Sequence, residues 1–493
     1  MGSREALSSA AFMATIEYEP VIGLEVHAQL RTRTKAFCRC LSAFGAPPNA
    51  HVCPTCLGLP GALPALNREA VAMAVRAGLA LGCTIRPVSR FARKHYFYPD
   101  LPKGYQISQF DEPLCEDGAL DVPMPDGTTR TVGIQRAHME EDAGKNIHGG
   151  VASQGLSLVD LNRAGVPLLE IVGRPDIRSA VEAAEYLRQL RAALMFVGVN
   201  DGNLEAGSFR CDANVSVRPR GSTTFGTRVE IKNINSFRFV QKAIEWEVAH
   251  QIATVSAGGR VEQVTKTWDD VEGRCNVLRK KEGSDDYRYF AEPDLPPLAV
   301  SDAFVAGVRA ALPALPAARR ARYMRDLGLS DNDAKVLTEH PALANFFEAL
   351  ADRTGDPKRA ANWVCNAIKT GFASDGLDAT FPVTLDQMAG LFARVDDGTL
   401  SGKLAKDVYA QLAGTRDTAD AIIARNGWRV VTDAGAIEAE CQAVLDANPR
   451  QAAAYRGGKR ALLGFFKGEV MKRTGGRADP RVLDAVIARL LDA

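Results

Sequence analysis

Between about residues 18 and 300 the chain alternates short runs of period two with turns and helical stretches. In residues 21–30 the polar side chains of Glu25 and His27 alternate with Leu24, Val26 and Ala28. That alternation predicts a strand with one buried face and one polar face. Residues 211–217 and 228–232 read the same way. Residues 67–82 and 179–197 instead carry Ala, Leu and Arg at helical spacing, so helices are expected there. Strands separated by helices and hairpin-like turns, without a regular βαβ rhythm, predict an α+β fold on a largely antiparallel sheet. The segment 291–298, with Pro293, Pro296 and Pro297, breaks the pattern and predicts a boundary. Beyond it the chain is Ala-rich with few β-branched runs, and a second break is expected near residues 397–402. The expected organisation is a mixed domain over 18–300, an all-α domain over 301–400 and a small all-α tail over 401–493. Neither an internal repeat nor a low-complexity tract is visible.

Length agrees with several domains, since 493 residues exceed what one hydrophobic core serves. Hydrophobic content of 46% and charged content of 24% are those of an ordinary globular protein. A net charge of +1 leaves any attraction to nucleic acid to local patches. No apolar run reaches the roughly 20 residues that span a bilayer, so no membrane role is expected. The first 20 residues lack the apolar core of a secretory signal, and Ala6 spoils an N-myristoylation pattern. Met13 is an alternative start, because patterned sequence begins only at Tyr18. A cytoplasmic, reducing setting follows.

Ten cysteines in such a chain do not make a disulfide scaffold. Six are scattered among apolar neighbours and read as small core residues. The other four cluster as Cys38-Arg39-Cys40, twelve residues, then Cys53-Pro54-Thr55-Cys56. Two such pairs supply the four soft ligands of tetrahedral Zn²⁺, closed and therefore structural, in a loop over residues 38–56. Free thiols, or a redox C-x2-C pair, are the other readings; a redox pair would not need the second pair.

The polar strand faces carry the candidate chemistry. Glu25 and His27 project together, as do Arg210, Asp212 and Asn214, and Glu230 and Lys232. Such faces are costly to bury unless they hold a metal or a highly charged ligand. Hard oxygens with one imidazole suit Mg²⁺ or Mn²⁺ bridging phosphate oxygens, with the basic members facing the phosphoryl group. Ordinary solvent-facing strands are the alternative for any one pair; three such strands together favour the site. His138-Met139-Glu140-Glu141-Asp142 adds consecutive carboxylates, and residues 93–100 combine Lys94 and other cations with Tyr96 and further aromatics. No G-x4-G-K-[ST], no G-x-G-x-x-G after a strand and no H-E-x-x-H occurs, so bound ATP would rest on a sheet-borne metal site.

These segments, with residues 105–110, 158–163 and 283–290, resemble in order the signatures of the GatB family of tRNA-dependent amidotransferase subunits, from about residue 18 to the C-terminus. The resemblance implies a catalytic domain similar to glutamine synthetase in fold. It implies ATP-dependent phosphorylation of the side-chain carboxylate of misacylated Glu-tRNA(Gln), Asp-tRNA(Asn) or both, then attack by ammonia on the acyl phosphate. Ammonia would come from glutamine hydrolysed by an amidase-type partner subunit, with a small third subunit completing a heterotrimer. This chain shows no amidase-type nucleophile motif of its own. By family motif the Mg²⁺ ligands fall on Glu25, His27 and Glu141. Lys94, Glu205, Asp212, Glu230 and Lys232 join these as candidate catalytic residues, with individual roles left open. Lys94, Tyr96, Arg210, Asn214 and Arg288 are the candidates for holding ATP. Some family members lack the four cysteines.

Residues 450–481 hold nine basic side chains against two acidic ones. Contact with the tRNA backbone is one reading, which the resemblance favours, and a solvated helix face is the other. Two other functions remain expectations to be tested against the leading one. They are a stand-alone ligase resembling glutamine synthetase and a non-catalytic zinc and RNA-binding module.

Overall fold

A computed structural model of the chain describes residues 16–148, 156–280, 287–428, 430–431 and 433–492. Met13 and residues 283–286 of the last family-like segment lie outside them. The chain divides into two compact units. Residues up to Ala318, with Asp375–Leu377, make the first, and the remainder make the second.

Among the described residues nine strands of the first unit join in one sheet. In chain order they are β1 (Tyr18–Gln29), β2 (Thr84–Ile85), β3 (Cys115–Pro123), β4 (Thr129–Glu141), β5 (Pro167–Gly173), β6 (Phe209–Pro219), β7 (Val229–Ile234), β8 (Val264–Asp269) and β9 (Arg274–Lys280). Their spatial order is β9-β8-β7-β6-β1-β5-β4-β3-β2. Every pairing is antiparallel except β7 with β8. The fold is thus α+β on a mostly antiparallel sheet. The long central strand β1 pairs along most of its length with β6 and along its second half with β5.

The pleat sorts the side chains. Val26, Ala137, Ile171, Ala213 and Ile231 are fully buried on one face. There they share a core with Tyr186, Leu187 and Leu190 of helix α2 (Ala180–Phe196) and Val240, Ala243 and Ile244 of helix α3 (Phe237–Ser256). Helices cover one face only, so the alternate residues of the central strands line the other. Helix ends follow their sequence signals. Ser179 and Ser236 cap α2 and α3 by accepting from the Glu182 and Phe239 amides.

The expected boundary at residue 300 falls inside this core. Phe304, Val305 and Val308 of the helix Asp302–Ala310, and Leu312 and Leu315 after it, pack against the sheet unit. The proline run turns the chain without ending the core, because the helix that follows still carries an apolar stripe. In the second unit one core runs from Tyr323 through Leu400 and Leu404 to Ile423, and another runs from Ile437 to Leu491. The break at 397–402 therefore separates two helices of one core, and the change of core comes after residue 423. No described helix is long and apolar enough to cross a membrane.

Candidate active site

Register builds the site. His138 of β4, Glu170 of β5, His27 of β1 and Arg210 of β6 are successive cross-strand partners in one row. One step along the strands, Glu25 faces Asp212. Asn214 in turn faces Glu230 on β7. Glu170 is the hub: its Oε2 lies 3.4 Å from His27 Nε2 and 3.6 Å from His138 Nε2. One donor atom each from His27, Glu140 and Glu170 lies within 4.8 Å of the others. Glu140 also accepts from Ser108 Oγ at 3.2 Å.

Around this centre the charges interlock. Asn214 Nδ2 donates to Glu25 Oε1 at 2.9 Å. Lys232 Nζ reaches Asp212 at 2.6 Å and Glu230 at 3.3 Å. Asp142 is buried and accepts from Gln29 Nε2 and Arg210 Nη2, both at 2.8 Å. Lys94 comes from a short strand, Ala92–His95, that pairs with Tyr105–Ser108 and Phe290–Ala291. Beside Glu25, Gly23, Asn214, Phe225 and Arg228 a cavity of about 290 Å³ opens.

Electrostatics at so crowded a site are set by burial first. Burial pushes the Glu25 carboxyl up, and the charges of Glu170, Asp212 and Glu230 push it further. Glu140 is likewise raised by burial and by Glu170. For His27 burial works downward, but the hydrogen bond and charge of Glu170 carry the imidazole up to about 9. Burial takes His138 the other way, to about 4. Burial also opposes the Lys94 ammonium, yet Glu140 and Glu170 hold its pKa above the ordinary value. Asp142 resists burial through Arg210 and Arg163 and stays below the usual carboxylate range.

The donor set fits a hard divalent cation: two carboxylates and an imidazole converge with further carboxylates beside them. Two buried atoms support the fit, for His138 Nδ1 and Asn214 Oδ1 have no hydrogen-bond partner. With Lys94, Arg210 and Lys232 at its margins, the face can bind a cation together with a polyanion.

Of the residues singled out in the sequence, the sheet brings together Glu25, His27, Arg210, Asp212, Asn214, Glu230 and Lys232, and the neighbouring short strand adds Lys94. Tyr96 lies beside them, its ring edge-on to Tyr287 at 6.4 Å, and burial raises its phenol. Exposed Arg288 stands at the rim, over the Phe97 ring at 5.8 Å. Glu141 does not join them. His138 and Glu140 point to the polar face, so the pleat turns Glu141 to the opposite side. There it pairs with Lys103 and accepts from the Ile107 amide at 2.9 Å. The set the sheet gathers is His27, Glu140 and Glu170. Glu205 sits in an exposed turn before β6, and no described contact ties it to the cluster. Glu170 is the member that period and motif do not pick out. Its one signal in the sequence is a lone carboxylate inside the apolar run Pro167-Leu168-Leu169-Glu170-Ile171-Val172.

Cys38, Cys40, Cys53 and Cys56 form a second candidate metal centre, their four Sγ atoms within 4.8 Å of one another. A hydrogen bond from Cys38 takes the Cys56 thiol down to about 4, while burial pushes Cys40 up to about 11. The loop is tied to the acidic strands through Gly165, which takes φ 85°. Gly165 accepts from the Ala36 amide at 2.8 Å and donates to the Asp142 carbonyl at 2.9 Å.

Comparison with known proteins bears on both centres. A family model described as the GatB/GatE catalytic domain matches residues 20–306, and one described as the GatB domain matches residues 345–491. The B subunit of the aspartyl/glutamyl-tRNA(Asn/Gln) amidotransferase of Syntrophotalea carbinolica is 51% identical over 478 residues, which is 97% of this chain and 99% of that one. Its counterpart from Anaeromyxobacter sp. (strain K) is 53% identical over 488 residues, covering 97% and 100% of the two chains. That from Synechococcus sp. (strain JA-2-3B'a(2-13)) is 49% identical over 491 residues, covering 98% and 100%.

Proposed function

This chain belongs to the GatB family of aspartyl/glutamyl-tRNA(Asn/Gln) amidotransferase subunits, and we propose that its acidic sheet face is where a misacylated side chain is activated and amidated. The observation that carries this assignment is the convergence of His27, Glu140 and Glu170, with Lys94 against them, on the sheet face opposite helices α2 and α3. The chain works as one subunit of a glutamine-hydrolysing ligase that uses ATP and Mg²⁺ to amidate misacylated Glu-tRNA(Gln), Asp-tRNA(Asn) or both. An amidase subunit supplies the ammonia, and a small third subunit completes the heterotrimer. The reaction belongs to translation, which supports a cytoplasmic placement. The sheet domain is of the glutamine synthetase type, and the last helical core is the tRNA-binding tail.

His27, Glu140 and Glu170 would hold the Mg²⁺, with Glu25 beside them. A cation bound there would supply charge neutralisation for the transferring phosphoryl group. The cavity beside Glu25, Asn214 and Arg228 receives the nucleoside of ATP; Tyr96 and Arg288 do not line it. Arg210, anchored by Asp142, and Lys232, anchored by Asp212, present cations to the transferring phosphoryl group without having to reorganise. A carboxylate is a poor electrophile, whereas its acyl phosphate carries a good leaving group, so ammonia attacks the acyl carbon and phosphate departs. Lys94 balances the charge on that phosphate. Glu25, whose raised pKa reflects burial, takes the proton that the attacking nitrogen sheds. The four cysteines would hold Zn²⁺ as a closed cross-link that props the 38–56 loop.

The test is reconstitution with the amidase and small subunits and an assay for Gln-tRNA and Asn-tRNA. Conversion should be lost in Glu170→Ala and Glu140→Ala while glutamine binding by the amidase partner persists. Synthesis of free glutamine by this chain alone, from glutamate, ammonia and ATP, would overturn the assignment in favour of a stand-alone ligase. Full activity in Glu170→Ala together with loss in Cys53→Ser would favour a non-catalytic zinc and RNA module.

A further inference from the structure

Outside the acidic cluster lies a feature that the chemistry above does not use: a group of aromatic rings at its edge, several turned to solvent. Phe97 is 77% exposed and Phe110 is 42% exposed. Large rings of this kind are normally buried, and exposed ones that adjoin each other mark recognition surfaces. Phe110 stacks on Tyr289 with ring centroids 4.1 Å apart and planes 8° from parallel. Tyr289 packs edge-on to Tyr287 at 6.1 Å, and Lys94 Nζ lies 5.3 Å from the Tyr287 centroid. The rings therefore lead from solvent to the ammonium that faces Glu140 and Glu170. Arg288, between the two tyrosines, is exposed and takes φ 45°, a conformation that residues other than glycine adopt only when their surroundings impose it. That turn lets the two flanking tyrosines face the cluster while the guanidinium lies over Phe97. Among the described residues no carboxylate pairs with Arg288.

We infer that Phe97, Phe110 and Arg288 form a stacking site for the unpaired bases at the 3′ end of the aminoacyl-tRNA. This rests on the function proposed above. The amino acid is esterified to the terminal ribose, so a side-chain carboxylate delivered to Lys94 keeps the terminal base within the reach of one amino acid and one ribose. Single-stranded ends are held by aromatic faces and guanidinium planes, which tolerate any base, and by cations along the backbone. The rings and Arg288 offer both chemistries along the path that runs from solvent to Lys94. ATP is the competing purine. Its base has the cavity beside Glu25, which Phe97, Phe110 and Arg288 do not line, whereas an open ring suits the end of a long polymer.

Two measurements on the assembled heterotrimer test this. First, tRNA carrying 2-aminopurine in place of the terminal adenosine should lose fluorescence on binding wild-type complex, as a base does when it stacks. Unchanged emission would overturn the proposal without touching the assigned reaction, which the wild-type amidation assay reports separately. Second, Phe97→Ala should raise KM for misacylated tRNA about 5- to 100-fold while KM for ATP stays constant, with Phe97→Trp restoring the wild-type value. An increase confined to KM for ATP would assign the rings to the nucleotide, and unchanged KM for both substrates would remove the site. Phe97 is so exposed that its truncation opens no core cavity, so folding is not at issue.

Discussion

The substitution Glu170→Gln changes one charge at the centre of the site and almost no volume. His27 Nε2 lies 3.4 Å from Glu170 Oε2. With an effective dielectric of about 20, that pair is worth about 5 kcal/mol by Coulomb's law, or about 3.5 pKa units. His27 stands at about 9 against an ordinary 6.5, with Glu170 the foremost cause raising it and burial opposing. Removing the charge should therefore bring His27 down, since burial, which opposes the imidazolium, remains. The sign for stability follows. A histidine with a raised folded pKa contributes stability that is complete below about 6.5 and is lost as pH rises through about 9, here on the order of 3 kcal/mol. In Glu170→Gln that contribution should vanish, and metal-free stability should no longer fall between pH 6.5 and 9 for this reason. The assay is NMR titration of ¹³C-labelled imidazoles after chelation, with His27 assigned from the signal missing in His27→Asn; the chain has only seven histidines. A midpoint that stays above 8 in Glu170→Gln would show that Glu170 does not govern His27, and the picture of Glu170 as hub would fail.

Other perturbations test separate parts of the structure. Lys94→Met removes the ammonium facing Glu140 and Glu170 and should lower kcat for amidation about 100- to 1,000-fold in steady-state assays, whereas a change in KM alone would assign Lys94 to binding. Metal analysis should return one tightly held zinc per chain, lost in Cys56→Ser with a lowered Tm; a full complement of zinc in that variant would exclude the four-thiolate site. The Lys266–Glu247 pair, 2.8 Å apart with both side chains buried, lies on the covered face of the sheet. Glu247→Ala should cost about 3–5 kcal/mol by urea unfolding, because Lys266 is left without its counter-charge, while replacing both by Met should be close to neutral. A cost for Glu247→Ala below 1 kcal/mol would mean that water reaches the ammonium.

Much of the architecture was legible because local rules and the tertiary fold agree. Asn67 and Ser179 sit where N-caps belong, and the helices begin one residue later, at Arg68 and Ala180. The polar alternation of β1 and β6, and of β7 as far as Lys232, survives because each of these strands has one face sealed by helices; at Asn233, φ 60°, the register shifts and Ile234 returns to the core. Domain edges were less legible. A proline run is a local signal, whereas the extent of a core depends on which later helices, such as Asp302–Ala310, still have an apolar stripe to bury.

What the sequence determined on its own is parity and chemistry. Period two puts Glu25 and His27 on one face, the C-x-C and C-x2-C pairs supply four thiols in one short loop, and the ordered motifs resemble one family. What only the tertiary structure decided is which carboxylates meet. Strand order sets Glu170, 143 positions after His27 in the chain, directly across from it. The same pleat sends Glu140 to the cluster and Glu141, its neighbour, to Lys103. Three consecutive acids look equivalent in a sequence. They separate only when the register of β4 against β5 fixes which of them shares a face with His27, because proximity across a sheet depends on how strands are paired and not on distance along the chain.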